Sequence, residues 1–490
     1  MFRRLAAASL LWALLAGAAV AKPVELTILH TNDTHDRLES FDSPKAKDVG
    51  GVARRATLFK QIRAERKNVL VLDAGDVFQG TPLFTFFEGE PDYMTMEQSG
   101  YDAIAVGNHD LDNGLANLQR QSKHLSQPPL SVNLVGKDGQ LLFPGYRTFE
   151  REGLKIAVIG VLGINAYEAI AEDKRKDVFV LDPIPVLKQV VGKLRGENDL
   201  VVVVSHSGHE EELEMAAKVP GIDVIVGGHS HTKIEKPVAV VNGDRTTLVV
   251  QAFQWGEYVG QINLTVDDGR VQSYRGELLP VTSAIPPDPI VQATVDRYAR
   301  QIADKMNQVV GQSSVEFLNS RKAMGDAPIG NLIADALRAE TGTDIGIMNS
   351  GGIRASLPKG PITRGMVFSM LPFENRLVTF HADGQMVKEL VGFAADRLGK
   401  SGSLQISGLS FTVKGGKVTE IKVGGQPLDP KRVYTVTTID YLANGNDGAG
   451  VFKKARELRA TGQLIRDAFF NYMKENPTLQ TPQGGRIVVK

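Results

Sequence analysis

The sequence predicts an α/β protein in two units. Three observations carry this: six short apolar runs alternating with helical stretches, a proline break at Ile285-Pro286-Pro287, and a second alternation beyond it. The runs cover residues 26–29, 69–72, 103–106, 156–159, 201–204 and 224–226. Unbroken apolar runs of this length suit strands covered on both faces. Helical patterns lie between them, at 52–66 and 183–194. From about Thr246 the chain changes to strands joined by Gly and Asp turns, as at Val266-Asp267-Asp268-Gly269, which predicts antiparallel closure. An amphipathic helix over 286–309 serves as linker. A second unit follows, with helices at 331–339 and 384–398, a strand at 345–348, and strands near Ser410, Val418 and Tyr434.

Length and charge narrow the function. A chain of 490 residues exceeds one core and divides between two or three domains. Lys+Arg and Asp+Glu are both 56, so no net basic charge favours a polynucleotide partner. The absence of cysteine excludes disulfides, thiolate ligands and cysteine nucleophiles. At the N-terminus, Met1-Phe2-Arg3-Arg4, an apolar run over 5–16 and Ala19-Val20-Ala21 predict a signal peptide over 1–21. The run is shorter than the ~20 residues a bilayer span needs, so a periplasmic or secreted protein without a stable membrane span is expected.

Five of the six strands end in ligand-type residues: Asn32-Asp33-Thr34-His35, Gly75-Asp76, Gly107-Asn108-His109-Asp110, Ser205-His206 and Gly227-Gly228-His229-Ser230-His231. That edge is where open α/β sheets form their sites. Five of the nine histidines sit in these tips, which scattered core histidines would not do. Asp33 and His35 are two apart, so an extended segment would point them the same way, and His229 and His231 would repeat this. Imidazole, carboxylate and amide oxygen together suit Zn, Mn or Fe. Asp76, lying between two such groups, is the natural bridge between two ions.

These motifs resemble the calcineurin-like metallophosphoesterases, and His30-Thr31-Asn32-Asp33-Thr34-His35 resembles the 5′-nucleotidase branch. The resemblance runs from about residue 25 to the C-terminus. It implies a four-layer α-β-β-α metallophosphoesterase sandwich over 22–284, a linker helix over 285–309, and a C-terminal α/β substrate-binding domain over 310–490. It implies two divalent metal ions, one held by Asp33, His35, Asp76 and His231, the other by Asp76, Asn108, His206 and His229. His109 would contact the phosphate and Asp112 would orient His109. Two ions about 3.5–4 Å apart activate water and stabilise an in-line phosphoryl transition state, and an imidazolium can protonate the leaving oxygen. His124, His209 and His381 lack such context and read as structural or surface residues.

In the second unit, Asn349-Ser350-Gly351-Gly352-Ile353-Arg354, Leu371-Pro372-Phe373-Glu374-Asn375 and Tyr441-Leu442-Ala443-Asn444-Gly445-Asn446-Asp447-Gly448 resemble the C-terminal domain of 5′-nucleotidases. The resemblance implies that Phe373 and Tyr441 sandwich the base, that Asp447 binds ribose, and that Asn349 and Arg354 contact nucleoside and phosphate, with Asn375 in the same pocket. Two departures stand out. Position 441 is often Phe in the family. A further family arginine has only Arg321 as its counterpart, with Gly325-Asp326 between it and Gly330-Asn331-Leu332, which leaves a phosphate contact by Arg321 open. The expected activity is hydrolysis of nucleoside 5′-monophosphates, with UDP-sugars or nucleoside di- and triphosphates as further substrates. The alternatives are a 2′,3′-cyclic-nucleotide 2′-phosphodiesterase with 3′-nucleotidase activity, a thiosulfate-ester hydrolase, and a nucleotide-binding surface protein with a dead site.

Overall fold

All six apolar runs contain strands in the computed structural model, which describes residues 23–43 and 46–490, although the run at 103–106 is a strand only over Ala103–Ile104. The expected signal peptide lies outside the described residues. In the first half the elements used below are β1 (Val24–Thr31), α1 (Val52–Glu65), β2 (Val69–Asp73), β3 (Ala103–Ile104), β4 (Tyr146–Arg151), β5 (Leu154–Leu162), α2 (Pro183–Leu194), β6 (Leu200–His206), α3 (His209–Lys218), β7 (Val224–Gly227), β8 (Val238–Asn242), β9 (Arg245–Val250), β10 (Tyr258–Asp267) and β11 (Arg270–Pro280). One sheet has the order β11-β10-β1-β2-β3 and the other β8-β9-β7-β6-β5-β4.

The two sheets share one apolar interior. Ile28, Leu70 and Ile262 from the first meet Val158, Val202, Val204 and Val226 from the second. Their outer faces are covered by helices. Phe59 and Ile62 of α1 pack against Leu29 and Val71, and Leu187 and Val191 of α2 and Met215 of α3 pack against Val201 and Val203. The α-β-β-α layering follows directly, because a strand apolar on both faces needs cover on both. Antiparallel closure is found in β10 and β11. β9 differs: it runs parallel to β7 and antiparallel to its hairpin partner β8, since insertion beside β7 buries Leu248 and Val249.

The linker helix, α4, is shorter than expected and covers Pro289–Met306. Asp288 sets its start by accepting from the amides of Ile290 and Val291, and Val309 already belongs to a strand. Its stripe of Val291, Val295, Tyr298, Ile302 and Met306 packs on Leu38, Val52 and Ala56 of the first half, with Phe368 of the second at the same cluster.

The second half contributes α5 (Pro328–Thr341), β12 (Ile345–Asn349), β13 (Arg376–Asp383), α6 (Gly384–Asp396), β14 (Leu404–Ser407), β15 (Val433–Ile439) and β16 (Arg456–Leu464). Its main sheet has the order β14-β12-β15-β13-β16. Leu332, Ile333 and Leu337 of α5 and Val387, Leu390 and Val391 of α6 share one core with Ile347, Phe380 and Val436. Asn349 ends β12, so the second half also presents its polar residues at a strand end. Among the described residues no helix is long and apolar enough to cross a membrane.

Candidate active site

The five strand tips of the first half converge into two adjoining groups, Asp33–His35–His231 and Asp76–His206–His229. The way they converge differs from an extended Asp-x-His. Asp33, His35, Asp76, His229 and His231 all adopt left-handed backbone conformations, with φ of 50, 51, 55, 71 and 53°. The expectation that His229 and His231 point the same way is therefore overturned. The left-handed turn sends His231 toward Asp33 and His35, while His229 goes to the other group. Close approach needs small residues. A side chain at Gly75 would put its Cβ 2.6 Å from the amide nitrogen of Gly107, so the Asp76 and Asn108 loops touch only because both carry glycine.

Within the first group, His231 Nε2 lies 3.2 Å from Asp33 Oδ1 and 3.2 Å from His35 Nε2. Within the second, His206 Nε2 lies 3.2 Å from Asp76 Oδ2 and 3.1 Å from Asn108 Oδ1, and His229 Nδ1 lies 2.9 Å from the same amide oxygen. Asp76 stands between the groups. Its Oδ1 accepts from the His109 amide at 2.7 Å, which turns Oδ2 toward His206 and, at 3.8 Å, His35 Nε2.

These atoms fit a cation-binding role by their chemistry. His206 Nδ1 faces the Ala74 carbonyl at 2.7 Å, and His35 Nδ1 faces the carbonyls of Phe78 and Gln79 at 3.3 and 3.1 Å. A proton on Nδ1 satisfies those carbonyls and leaves Nε2 of both rings as a lone pair, turned on carboxylate and amide oxygens. Lone pairs gathered against oxygen atoms, all buried, need positive charge between them. Burial opposes a proton on His206, yet Asp76 and Asp33 outweigh it and push that ring up to about 10, a sign of how much negative charge surrounds it.

His109 stands beside these groups rather than inside them. Its Nδ1 lies 2.9 Å from Asp112 Oδ2 and its ring 5.3 Å from that of His35. Burial lowers its affinity for a proton, but Asp112 and Asp76 together raise it above the ordinary histidine value. Asp110, next in sequence, has a supporting role: it accepts from the amides of Val77, Phe78 and Gly107 and so ties the Asp76 and Asn108 loops together.

The second half faces this centre. Arg354 Nη2 lies 3.2 Å from His35 Nε2, and its guanidinium lies 5.7 Å from the Phe373 ring. Phe373 in turn packs on His109, with centroids 5.6 Å apart and planes at 33°. Asn349 donates to Asp447 Oδ2 at 3.1 Å, while its own Oδ1 is buried without a partner. The Tyr441 hydroxyl lies 3.2 Å from Asp447 Oδ1 and 3.3 Å from the carbonyl of Ala169 in the first half. For Asn375 the contact is a main-chain one, its carbonyl accepting from Ile465 at 2.9 Å. His381 pairs with Glu457 at the surface, and the partly buried His124 and His209 belong to neither group.

Residues 26–233 match the family model of the calcineurin-like phosphoesterases, and residues 309–454 that of the 5′-nucleotidase C-terminal domain. The chain is 32% identical to a 5′-nucleotidase of Diplobatis ommata, over 96% of this chain and 90% of that one. The chain belongs to the 5′-nucleotidase family. A 5′-nucleotidase of Vibrio cholerae is 31% identical over 97% of both chains. The solved 5′-nucleotidase precursor from Thermus thermophilus superposes with a TM-score of 0.88 at 34% identity, covering 95% of this chain and 99% of that one.

Membership makes the protein a phosphoric monoester hydrolase that uses divalent metal, and the two groups above are this 5′-nucleotidase family chain's candidates for holding it. One residue is more closely involved than its sequence context indicates. Arg321 Nη1 lies 3.5 Å from His231 Nδ1. Burial, then the neighbouring Arg354, lowers the Arg321 guanidinium to about 9, against Asp33, Asp447 and Asp76. Buried Arg354 and partly buried Arg321 thus converge on one edge of the two groups, an arrangement that favours an anion between them. Arg321 lies in the irregular stretch before α5, where no periodicity marks it.

Proposed function

We propose that the protein is an exported 5′-nucleotidase that works with two divalent ions, Zn or Mn in class. One ion would be held by Asp33, His35, Asp76 and His231, the other by Asp76, Asn108, His206 and His229. The observation that carries this reading is the contact between halves: Arg354 reaches His35 while Phe373 packs on His109. A phosphate at the donor groups would then lie within reach of Arg354 and Arg321, with its nucleoside directed toward Phe373, Tyr441 and Asp447.

When bound, the ions supply Lewis acidity and an activated water. The chain's own residues do the rest. Arg354 and Arg321 bind and orient the phosphate through charge-assisted hydrogen bonds. His109, held by Asp112 and favoured in its protonated form, donates toward the leaving ribose oxygen. Asp447 accepts from ribose hydroxyls, and Phe373 and Tyr441 stack on the base, which tolerates any base because each has a π face. We place the functional division at 22–284, 285–309 and 310–490, with α4 packed on both halves in support.

A substrate panel on metal-reconstituted protein tests the reading. Nucleoside 5′-monophosphates should be hydrolysed well ahead of 3′-monophosphates and 2′,3′-cyclic nucleotides, with UDP-glucose as the probe of wider range. Faster turnover of cyclic nucleotides would overturn it. Export is tested by N-terminal sequencing of the mature protein, which should begin near Lys22; an intact Met1 would contradict it.

A further inference from the structure

The segment after β9 carries an unusual backbone. Phe253 and Trp255 both lie in the left-handed region, at φ 68 and 60°, which bulky side chains seldom enter without compensation. The compensation is visible. Asn32 Nδ2 donates to the Phe253 carbonyl at 2.6 Å, the Phe253 amide to Thr232 at 3.2 Å, and the Trp255 amide to the Asp33 carbonyl at 2.7 Å. The Ala252 amide donates to Asn32 Oδ1 at 2.8 Å. Residues 252–255 are therefore bolted to the loop bearing Asp33 and to the loop bearing His231. Gln254, between the two strained residues, puts its Oε1 against His231 Nδ1.

That contact decides which nitrogen of His231 faces the donor group. Nε2 is the atom turned on Asp33 and His35, so a cation there requires the proton on Nδ1 and an acceptor for it. The other group near Nδ1, Arg321 at 3.5 Å, can only donate. For His35 and His206 main-chain carbonyls play the acceptor part; for His231 it is a side chain.

We infer that Gln254 is the positioning residue of the Asp33–His35–His231 half-site: its carbonyl oxygen fixes the His231 tautomer and ring, and with them the affinity of that half-site for its ion. This rests on the two-ion reading above.

The test uses the full chain, stripped of metal and titrated with Zn²⁺ and, separately, Mn²⁺, by calorimetry and elemental analysis. Gln254→Leu keeps the size and removes the acceptor. One of the two binding steps should weaken about 10–100-fold, the usual effect of losing such a partner, while the other stays put. Gln254→Glu restores an acceptor oxygen and should return that step to within a few-fold of the starting protein. Unchanged affinities in Gln254→Leu would overturn the proposal. So would equal weakening of both steps, which would mean that 252–255 merely holds the loops together. A Glu variant as weak as the Leu variant would overturn it too. A starting protein that binds fewer than two ions would instead sink the two-ion reading, before any variant is compared.

Discussion

The proposed metal side and the proposed nucleotide side of the site differ in how firmly they are held. Asp33, His35, Asp76 and His206 are all within 1% of complete burial, and main-chain hydrogen bonds fix the loops that carry them. Phe373 and Tyr441 are only partly buried; Phe373 sits on the irregular stretch before β13 and Tyr441 in a helix of a single turn, Asp440–Ala443. Chemistry of this kind needs donors preset to within fractions of an ångström, and the first half provides that within one packed body. The base recognition proposed for the second half needs only a flat apolar surface, which tolerates looser support.

The contrast orders the expected effects of substitution. Asp76→Ala should be the most damaging, because one oxygen lies against both donor groups. Activity should vanish and bound metal fall; two ions per chain in that variant, by elemental analysis, would contradict the assignment. His109→Ala should slow turnover about 10²–10⁴-fold while metal content stays unchanged, since His109 adjoins the groups without belonging to either. Loss of metal would move His109 into the coordinating set. Phe373→Ala should cost about 1–3 kcal/mol of stacking, read as kcat/KM on nucleotides and nearly absent on p-nitrophenyl phosphate. Equal losses on both substrates would make Phe373 a packing residue. Tyr441→Phe keeps the ring and drops a hydroxyl that meets Asp447 and Ala169, so kcat/KM should fall by about 0.5–1.5 kcal/mol. Lys453→Ala breaks an exposed pair with Glu172 across the two halves. It should change stability by about 0–1 kcal/mol, and a larger shift in a denaturant melt would show that the halves depend on it.

The strands and their layering were legible because burial on both faces leaves an unmistakable mark in sequence: 201–204 and 224–226 can hardly be anything else. The strand tips were legible as well, since His, Asp and Asn cluster there beside glycine. What escaped was how the tips turn. Left-handed conformations at non-glycine residues such as His229 and His231 have no compositional signature, so the split of that pair between two groups came from the family resemblance and not from local spacing, which pointed the other way. Gln254 escaped for a related reason, and Arg321, though singled out, stayed undecided. Both lie in irregular segments, where position depends on distant contacts rather than on a local repeat. The linker helix was found but overrun by three residues at each end, because Asp288 and Val309 act through a cap and a strand pairing that hydropathy does not register.

The pairing of β1 has a consequence for how the chain is made. Thr27 in β1 lies opposite Asn263 in β10, 236 residues later. At about 5–20 residues per second of synthesis, one side of the strand that leads into Asp33 waits roughly ten to fifty seconds for its partner. The two-sheet body cannot close around its donor groups in that interval. For a chain proposed to cross a membrane before folding, such a delay is an asset: the long-range pairing that makes the finished enzyme rigid also keeps the nascent chain threadable.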